Sequence, residues 1–315
     1  MSIDELISEG TFFAMCVLPS EFERNRSPLF FKFNQPSFQS ATGETFIAVP
    51  FDASNHNEPQ SETTRSEHGE IIQAALQSIA SGALEKVVVS CIKHAPRGSH
   101  SLQSIFERLV ANYNNAYVYM LHHPTFGTWM GATPELLLHK QGTLHHTVSL
   151  AGTLPFSDVL QWSEKLQHEQ QLVTDFILKS IAHYSGKIEN IKGPYTSQAG
   201  PLAHLKTDIY FVTEENSDVL LNELQPTPAV CGLPRQAALN FIQTHSRIAR
   251  RLYAGRLGIR FPTGDEIHFV NLRCMQVFED HFELHVGGGI VIGSTPADEW
   301  NETEIKANVL RNLLQ

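Results

Sequence analysis

Apolar positions along the chain alternate between two spacings, and the spacings predict its elements. Residues 86–92, Lys86-Val87-Val88-Val89-Ser90-Cys91-Ile92, form a nearly unbroken apolar run of strand length, the signature of a strand buried on both faces. From 101 to 113, Leu102, Ile105, Phe106, Leu109 and Val110 recur at helical spacing behind Ser101, a residue suited to an N-cap. Strand-like runs follow at 116–122, 127–131, 135–139 and 143–150, and again near 256–261, 267–277 and 281–292. Helical spacing covers about 160–184 and closes the chain over about 297–314. Residues 52–66 are rich in Asn, Ser, Thr, Glu and Pro and predict a loop. That loop sets a Phe-rich, strand-like section apart from the rest. No tandem repeat or low-complexity tract appears. Helices interleaved with hairpins predict an α+β architecture with mainly antiparallel pairing, and not a doubly wound parallel sheet.

Composition adds mainly exclusions. The 315 residues are 42% apolar and 18% charged, with a net charge of -10, an ordinary soluble profile. Nucleic acid and anionic membrane need a basic face, so neither is expected as a partner. No apolar run approaches a membrane span. The start, Met1-Ser2-Ile3-Asp4-Glu5-Leu6, lacks the basic and apolar segments of a signal peptide. A cytoplasmic protein is therefore expected, with Cys16, Cys91, Cys231 and Cys274 as thiols, since none stand at C-x-x-C spacing. The 16 histidines include no H-E-x-x-H pattern. The adjacent pairs His122-His123 and His145-His146 point to opposite faces of a strand and predict surface or packing roles.

Several residues look chemical. Glu169 precedes Leu172 and Val173 by three and four residues, so it shares the apolar face that continues through Phe176 and Ile177. A carboxylate aimed at a core needs a cation or hydrogen-bond donors. In the last helix Glu302 shares a side with Ile305, Val309 and Leu313, with Glu299 three residues before and Lys306 four after. Inward carboxylates on two helices suit a hard cation such as magnesium, and two solvated acids in first helical turns are the plainer alternative. Gly287-Gly288-Gly289 would let backbone amides approach an anion, or mark a bulge. Arg273, a cation in an apolar run, is either a paired core arginine or a carboxylate clamp. Taken singly, Lys86 reads as a surface lysine at a strand start, Glu135 as a loop acid after Pro134, and His204 as a hydrogen-bonded core histidine.

Taken together, the segments resemble the chorismate-utilising enzymes, a family that includes isochorismate, salicylate, anthranilate and aminodeoxychorismate synthases. The resemblance runs from about residue 70 to the C-terminus. It rests on Lys86-Val87-Val88-Val89, Gly131-Ala132-Thr133-Pro134-Glu135, Ala151-Gly152-Thr153 and the stretch from Pro226 to Pro234. It continues through Arg250-Arg251-Leu252-Tyr253-Ala254-Gly255, Gly287-Gly288-Gly289-Ile290-Val291 and Glu299-Trp300-Asn301-Glu302-Thr303. The order and spacing of the set are specific where each segment alone is weak. The resemblance implies one large domain of two packed, mainly antiparallel sheets with helices outside. Residues 67–315 would form the chorismate-binding catalytic part, and the divergent section 1–66 would complete the sheet.

Within that family, members that transfer an amine usually carry Gln where this chain has Lys86, and members that use water carry Lys. The Pro226–Pro234 stretch also looks like the water-using branch. The resemblance therefore implies an isochorismate synthase that adds water at C2 of chorismate and expels the C4 hydroxyl, in a menaquinone or siderophore route. Salicylate synthase, which goes on to eliminate pyruvate, and a catalytically inactive chorismate-binding protein are the alternatives. By the same resemblance magnesium is held by Glu169 and Glu302 with Glu299 nearby. Lys86 is the general base, and Glu135 is the general acid that protonates the departing hydroxyl. Tyr253, Arg273 and Gly287, Gly288 and Gly289 hold the enolpyruvyl carboxylate. Gly152, Thr153 and Lys306 seat the substrate, His204 lies beside the ring, and the protein is a monomer. The chain departs from the family pattern at Leu166, where an acid is usual, and at Cys91, Gln225, Ser246 and Ala249.

Overall fold

The computed structural model describes residues 2–23, 27–34, 37–157 and 159–315. A short helix α1 (Ile3–Ser8) leads into strands β1 (Phe13–Val17), β2 (Leu29–Asn34), β3 (Ser37–Ser40) and β4 (Thr45–Val49). The Asn- and Ser-rich loop ends where Thr64 and Glu67 exchange capping hydrogen bonds, starting α2 (Arg65–Ala80). The buried run is β5 (Lys86–Pro96), followed by α3 (Leu102–Asn112), whose N-cap is Ser101. Then come β6 (Tyr117–His123), β7 (Gly127–Thr133), β8 (Leu136–Gln141), β9 (Leu144–Pro155) and α4 (Glu164–His183). A long hairpin, β10 (Lys187–Ala199) and β11 (Leu202–Val212), precedes α5 (Ser217–Leu224), β12 (Gly232–Leu233) and α6 (Arg235–His245). The chain closes with β13 (Arg256–Arg260), β14 (Glu266–Val270), β15 (Cys274–Val277), β16 (His281–Ile290), α7 (Pro296–Arg311) and a 3-10 turn.

Hydrogen bonding runs unbroken through sixteen strands in the order β10-β11-β9-β8-β14-β13-β4-β3-β2-β1-β6-β7-β15-β16-β5-β12. The two layers expected from the resemblance arise because this sheet folds onto itself. Tyr117 of β6 stacks on Phe269 of β14 at 4.6 Å between ring centroids, although seven strands span the path from β14 to β6 along the order above when both are counted. One core, with Trp129, Leu137, Val148, Ile209 and Phe269, fills the space between the layers. The Phe-rich N-terminal strands join the halves: β4 pairs with β13 and β1 with β6. Helix α4 covers β9 and β11 through Val173 and Ile177, while α2 and α6 cover β5.

The predicted strand 267–277 is two strands. It breaks at Asn271-Leu272-Arg273, where the chain steps from one half-sheet to the other: β14 pairs with β8 and β13, β15 with β7 and β16. On α7 Glu299, Thr303, Ala307, Val309 and Leu310 are buried, so of the side expected to carry Glu302, Val309 and Leu313 are buried and Ile305 is exposed. Both adjacent histidine pairs pack: His145 stacks on Phe211, His146 on Tyr210, and His123 on Phe126. No helix among the described residues is long and apolar enough to cross a membrane.

Candidate active site

Two crossings between the half-sheets build the centre of the site. The chain passes from β7 to β8 through Pro134 and Glu135, and from β14 to β15 through Arg273. The crossings run side by side and are tied together. Thr133 Oγ1 donates to Val270 O at 2.6 Å, Val270 N to Glu135 O at 3.0 Å, and Ala132 N to Arg273 O at 3.1 Å. A Cβ on Gly131 would stand 2.7 Å from Arg273 O, so the close approach needs glycine there. Arg273 itself has φ 47°, a left-handed backbone that a bulky residue adopts only under surrounding constraint. Asn271 supplies part of that constraint. It is fully buried, and its Nδ2 donates to Leu252 O at 2.9 Å, bracing the turn that carries Tyr253.

The crossings face an open-mouthed cavity. Glu135, Gly152, Thr153, Glu169, His204, Tyr253, Arg273, Gly287, Gly289, Glu302 and Lys306 line it. Lys86, Gly288 and Glu299 stand directly behind the lining. Lys86 is wholly buried, with Nζ 2.9 Å from Glu169 Oε1. A Cβ on Gly288 would lie 2.9 Å from Glu299 Oε2, and one on Gly289 would meet Glu169 Oε1 and stand 2.9 Å from Lys86 Cε. The strand of glycines is thus a floor pressed against three carboxylates.

Those carboxylates crowd one corner. Glu302 Oε1 pairs with Lys306 Nζ at 2.7 Å, and Lys306 also donates to Gly287 O at 2.8 Å. Glu299 Oε1 pairs with Lys165 Nζ at 2.8 Å. Glu299 Oε2 is buried without a hydrogen-bond partner, and the Ser294 side chain lies close to the carboxylate. Burial, and then the charge of Glu302, push the Glu299 carboxyl up. An oxygen-rich corner with an orphaned, buried carboxylate oxygen fits a hard divalent cation.

The opposite wall carries cations and a neutral imidazole. His204 Nδ1 lies 2.8 Å from Gly152 O, so this nitrogen is the donor and Nε2 accepts from Arg273 Nη2. Burial, and then Arg273, hold His204 well below its usual range, so it stays neutral. Arg273 Nη1 donates to Ala199 O at 2.9 Å. Glu135 is pushed up to about 8 by burial, against the pull of Lys86, Lys306 and Arg273. At neutral pH the cavity thus holds a protonated carboxyl, two cations able to clamp a carboxylate, and a carboxylate corner suited to a metal.

Three contributors were not singled out from sequence. Lys165 stands four residues before Glu169, so helical spacing does place it on the same side. Leu166, where the family has an acid, lies against Gly152 and carries no charge to the corner. His285 lines the rear wall, and burial takes it down to about 3. Arg250 is buried with its guanidinium on Ser90 Oγ, Val230 O and Val88 O. It thereby holds the segment bearing the lining residues Ala229 and Val230 against β5. Gln225, another departure, donates to Ala254 O at 3.4 Å, and Cys91 is a buried core thiol.

Comparison with known proteins places this geometry. Residues 36–315 match the model of a family described as chorismate binding enzyme. The chain is 30% identical over 275 residues to the isochorismate synthase MenF of Escherichia coli (strain K12), covering 80% of this chain and 63% of that protein. It is 32% identical over 223 residues to the isochorismate synthase EntC of the same organism, covering 66% and 56%. The chain therefore spans about three-fifths of the length of these relatives. Among solved structures, that of the menaquinone-specific MenF from Escherichia coli superposes with TM-score 0.71 at 25% identity, over 94% of this chain and 68% of that one. The structure of DhbC from Bacillus anthracis shares the fold with TM-score 0.75 at 24% identity, over 99% and 85%.

Proposed function

The chain belongs to the chorismate-binding enzyme family, and from that premise we propose that it is an isochorismate synthase dependent on magnesium. The observation that carries this reading is the buried Lys86 beside a cavity whose one protonated carboxyl is Glu135. A lysine there can activate water, and the raised carboxyl can supply the proton that a departing hydroxyl needs. The named relatives MenF and EntC support the same activity.

In this reading Arg273 holds a substrate carboxylate, and the backbone of Gly287 to Gly289 lies under it with Tyr253 alongside. Neutral His204 contributes a fixed edge, because its proton is committed to Gly152 O. Lys306, Gly152 and Thr153 close the sides. Lys86 takes a proton from water as the water oxygen bonds to C2. The ring double bond shifts, the C4–O bond breaks, and the hydroxyl leaves as water with the proton of Glu135. The proton on Lys86 must then return to Glu135 to complete the cycle. Lys86 can act only after it has shed its own proton, so its ion pair with Glu169 has to be neutralised in the working complex. Glu169, Glu302 and Glu299 would hold magnesium, which when bound neutralises the ring carboxylate and draws electron density toward it.

The test is to incubate purified protein with chorismate and magnesium and to separate the products. Isochorismate alone is the expected product. Salicylate and pyruvate without a second enzyme would make the protein a salicylate synthase. Thermal stabilisation by chorismate with no product would leave only a binding protein.

A further inference from the structure

Among the described residues, a cluster of metal-ligating side chains lies outside the cavity, on the sheet between β5 and β16. His94 of β5 stands opposite Glu283 of β16 in register. His281 precedes Glu283 by two residues, so all three side chains emerge on one face. One ligand atom from each lies within 4.8 Å of the others, where a tetrahedral zinc site has ligand atoms roughly 3.3 Å apart.

The hydrogen bonds around the cluster engage one nitrogen of each imidazole and leave the other uncommitted. His281 Nδ1 is 2.6 Å from Asp280 Oδ1, so Nδ1 keeps the proton and Nε2 keeps a lone pair. That Nε2 is buried, has no hydrogen-bond partner and lies 3.8 Å from Glu283 Oε1. His94 Nε2 is 2.9 Å from Gln60 O, so Nε2 donates and Nδ1 is left as the nitrogen able to bind. Each imidazole therefore has the outer acceptor that a metal-bound histidine ordinarily has, one a carboxylate and one a backbone carbonyl. Glu283 is wholly buried and anchored by the Gln60 N–H and by Arg251 Nη1 at 3.4 Å. Both imidazoles stay partly exposed, which leaves an entry path from solvent. The two imidazoles lie against each other at 4.4 Å between ring centroids, and His281 also stacks on Phe278 at 5.2 Å.

We propose that His94, His281 and Glu283 form a binding site for a borderline divalent transition metal such as zinc, separate from the carboxylate corner of the cavity. Two imidazoles and one carboxylate select such an ion over magnesium, which takes oxygen ligands. The bound ion would pin Gln60, and with it the connection between β4 and α2, to the sheet.

The test is titration of chelator-stripped, full-length protein with Zn2+ by calorimetry, in millimolar Mg2+ to fill the carboxylate corner. Co2+ titration, with its visible absorption, reports the ligands. One equivalent of Zn2+ should bind and raise the melting temperature. Affinity should fall at least tenfold in His281→Asn and in His94→Gln, and it should persist in Glu302→Ala. Retained chorismate turnover would confirm that the two histidine variants fold. Absence of zinc binding to the wild type, or equal binding by His281→Asn, would overturn the proposal.

Discussion

Replacing Glu135 by glutamine keeps the shape of the side chain and removes its proton chemistry. Burial raises this carboxyl from 4.5 to about 8, although three cations pull it down. Two effects of opposite sign follow. For catalysis, the acid form is available below about pH 8, so kcat/KM should fall about tenfold per pH unit above that value. In Glu135→Gln the loss should be about 10²- to 10⁴-fold, or ~3–5 kcal/mol of transition-state stabilisation. For stability, the folded protein keeps the proton up to about pH 8, whereas the unfolded chain releases it near pH 4.5. The folded state binds more protons in that window. The group's contribution is complete below pH 4.5 and is lost as pH rises through about 8, at roughly 1.4 kcal/mol per pH unit. The whole loss is on the order of 5 kcal/mol by the same linkage. Glutamine has no such slope, so the inactive variant should gain melting temperature over wild type as pH rises from about 4.5 to about 8, with no further gain above that. Steady-state kinetics and thermal melts over the same pH series measure both. An absent alkaline limb in wild-type kcat/KM, or a melting difference that does not change with pH, would refute the reasoning.

Other substitutions probe the corner and the floor. Lys86→Met should lower turnover by about 10²- to 10⁴-fold while chorismate still binds by calorimetry, and wild-type turnover would remove its role as base. Glu302→Ala should raise the half-saturating magnesium concentration at least tenfold, and an unchanged metal dependence would contradict the ligand assignment. Lys165→Met takes the ammonium away from Glu299; the half-saturating magnesium should fall, and a rise would show that Lys165 helps to hold the ion. Gly289→Ala drives a Cβ against Glu169 and to 2.9 Å from Lys86 Cε. It should cost more than tenfold in turnover and lower the melting temperature, and a neutral result would mean that the floor yields.

The sequence made the buried strand β5, the capped helix α3 and the inward Glu169 legible, because each rests on a local pattern that packing then enforces. The break at Asn271-Leu272-Arg273 was not legible. All three residues fit a continuing strand, and only the partner strands decide that the chain changes half-sheet there. Strand β10 escaped for a different reason: it is largely exposed and shows no apolar alternation. At the site, the resemblance named residues that the structure gathers around one cavity or directly behind it. Local pattern alone could not separate Lys86 from a surface lysine, since the carboxylate that receives its ammonium, Glu169, sits on another element. Likewise nothing in the spacing of His94 from His281 announces a shared face. The pairing register of β5 with β16 creates it.

A hydrogen-bonded sheet this wide has margins as well as a middle. Margins are where one molecule can add its strands to those of another. At one end stands β12, with two residues, too short to template anything. At the other lies β10, thirteen residues long and open along its outer side. Its sequence spoils the template. Pairing with β11 slips at Ile188/Asn190 and again at Lys192/Tyr195. Pro194 offers no N–H to a newcomer, and Lys187 and Lys192 set charge along the rim. Gly193 makes the second slip possible, because a Cβ there would stand 2.6 Å from Lys206 O. Both margins of the sheet thus disfavour growth from molecule to molecule.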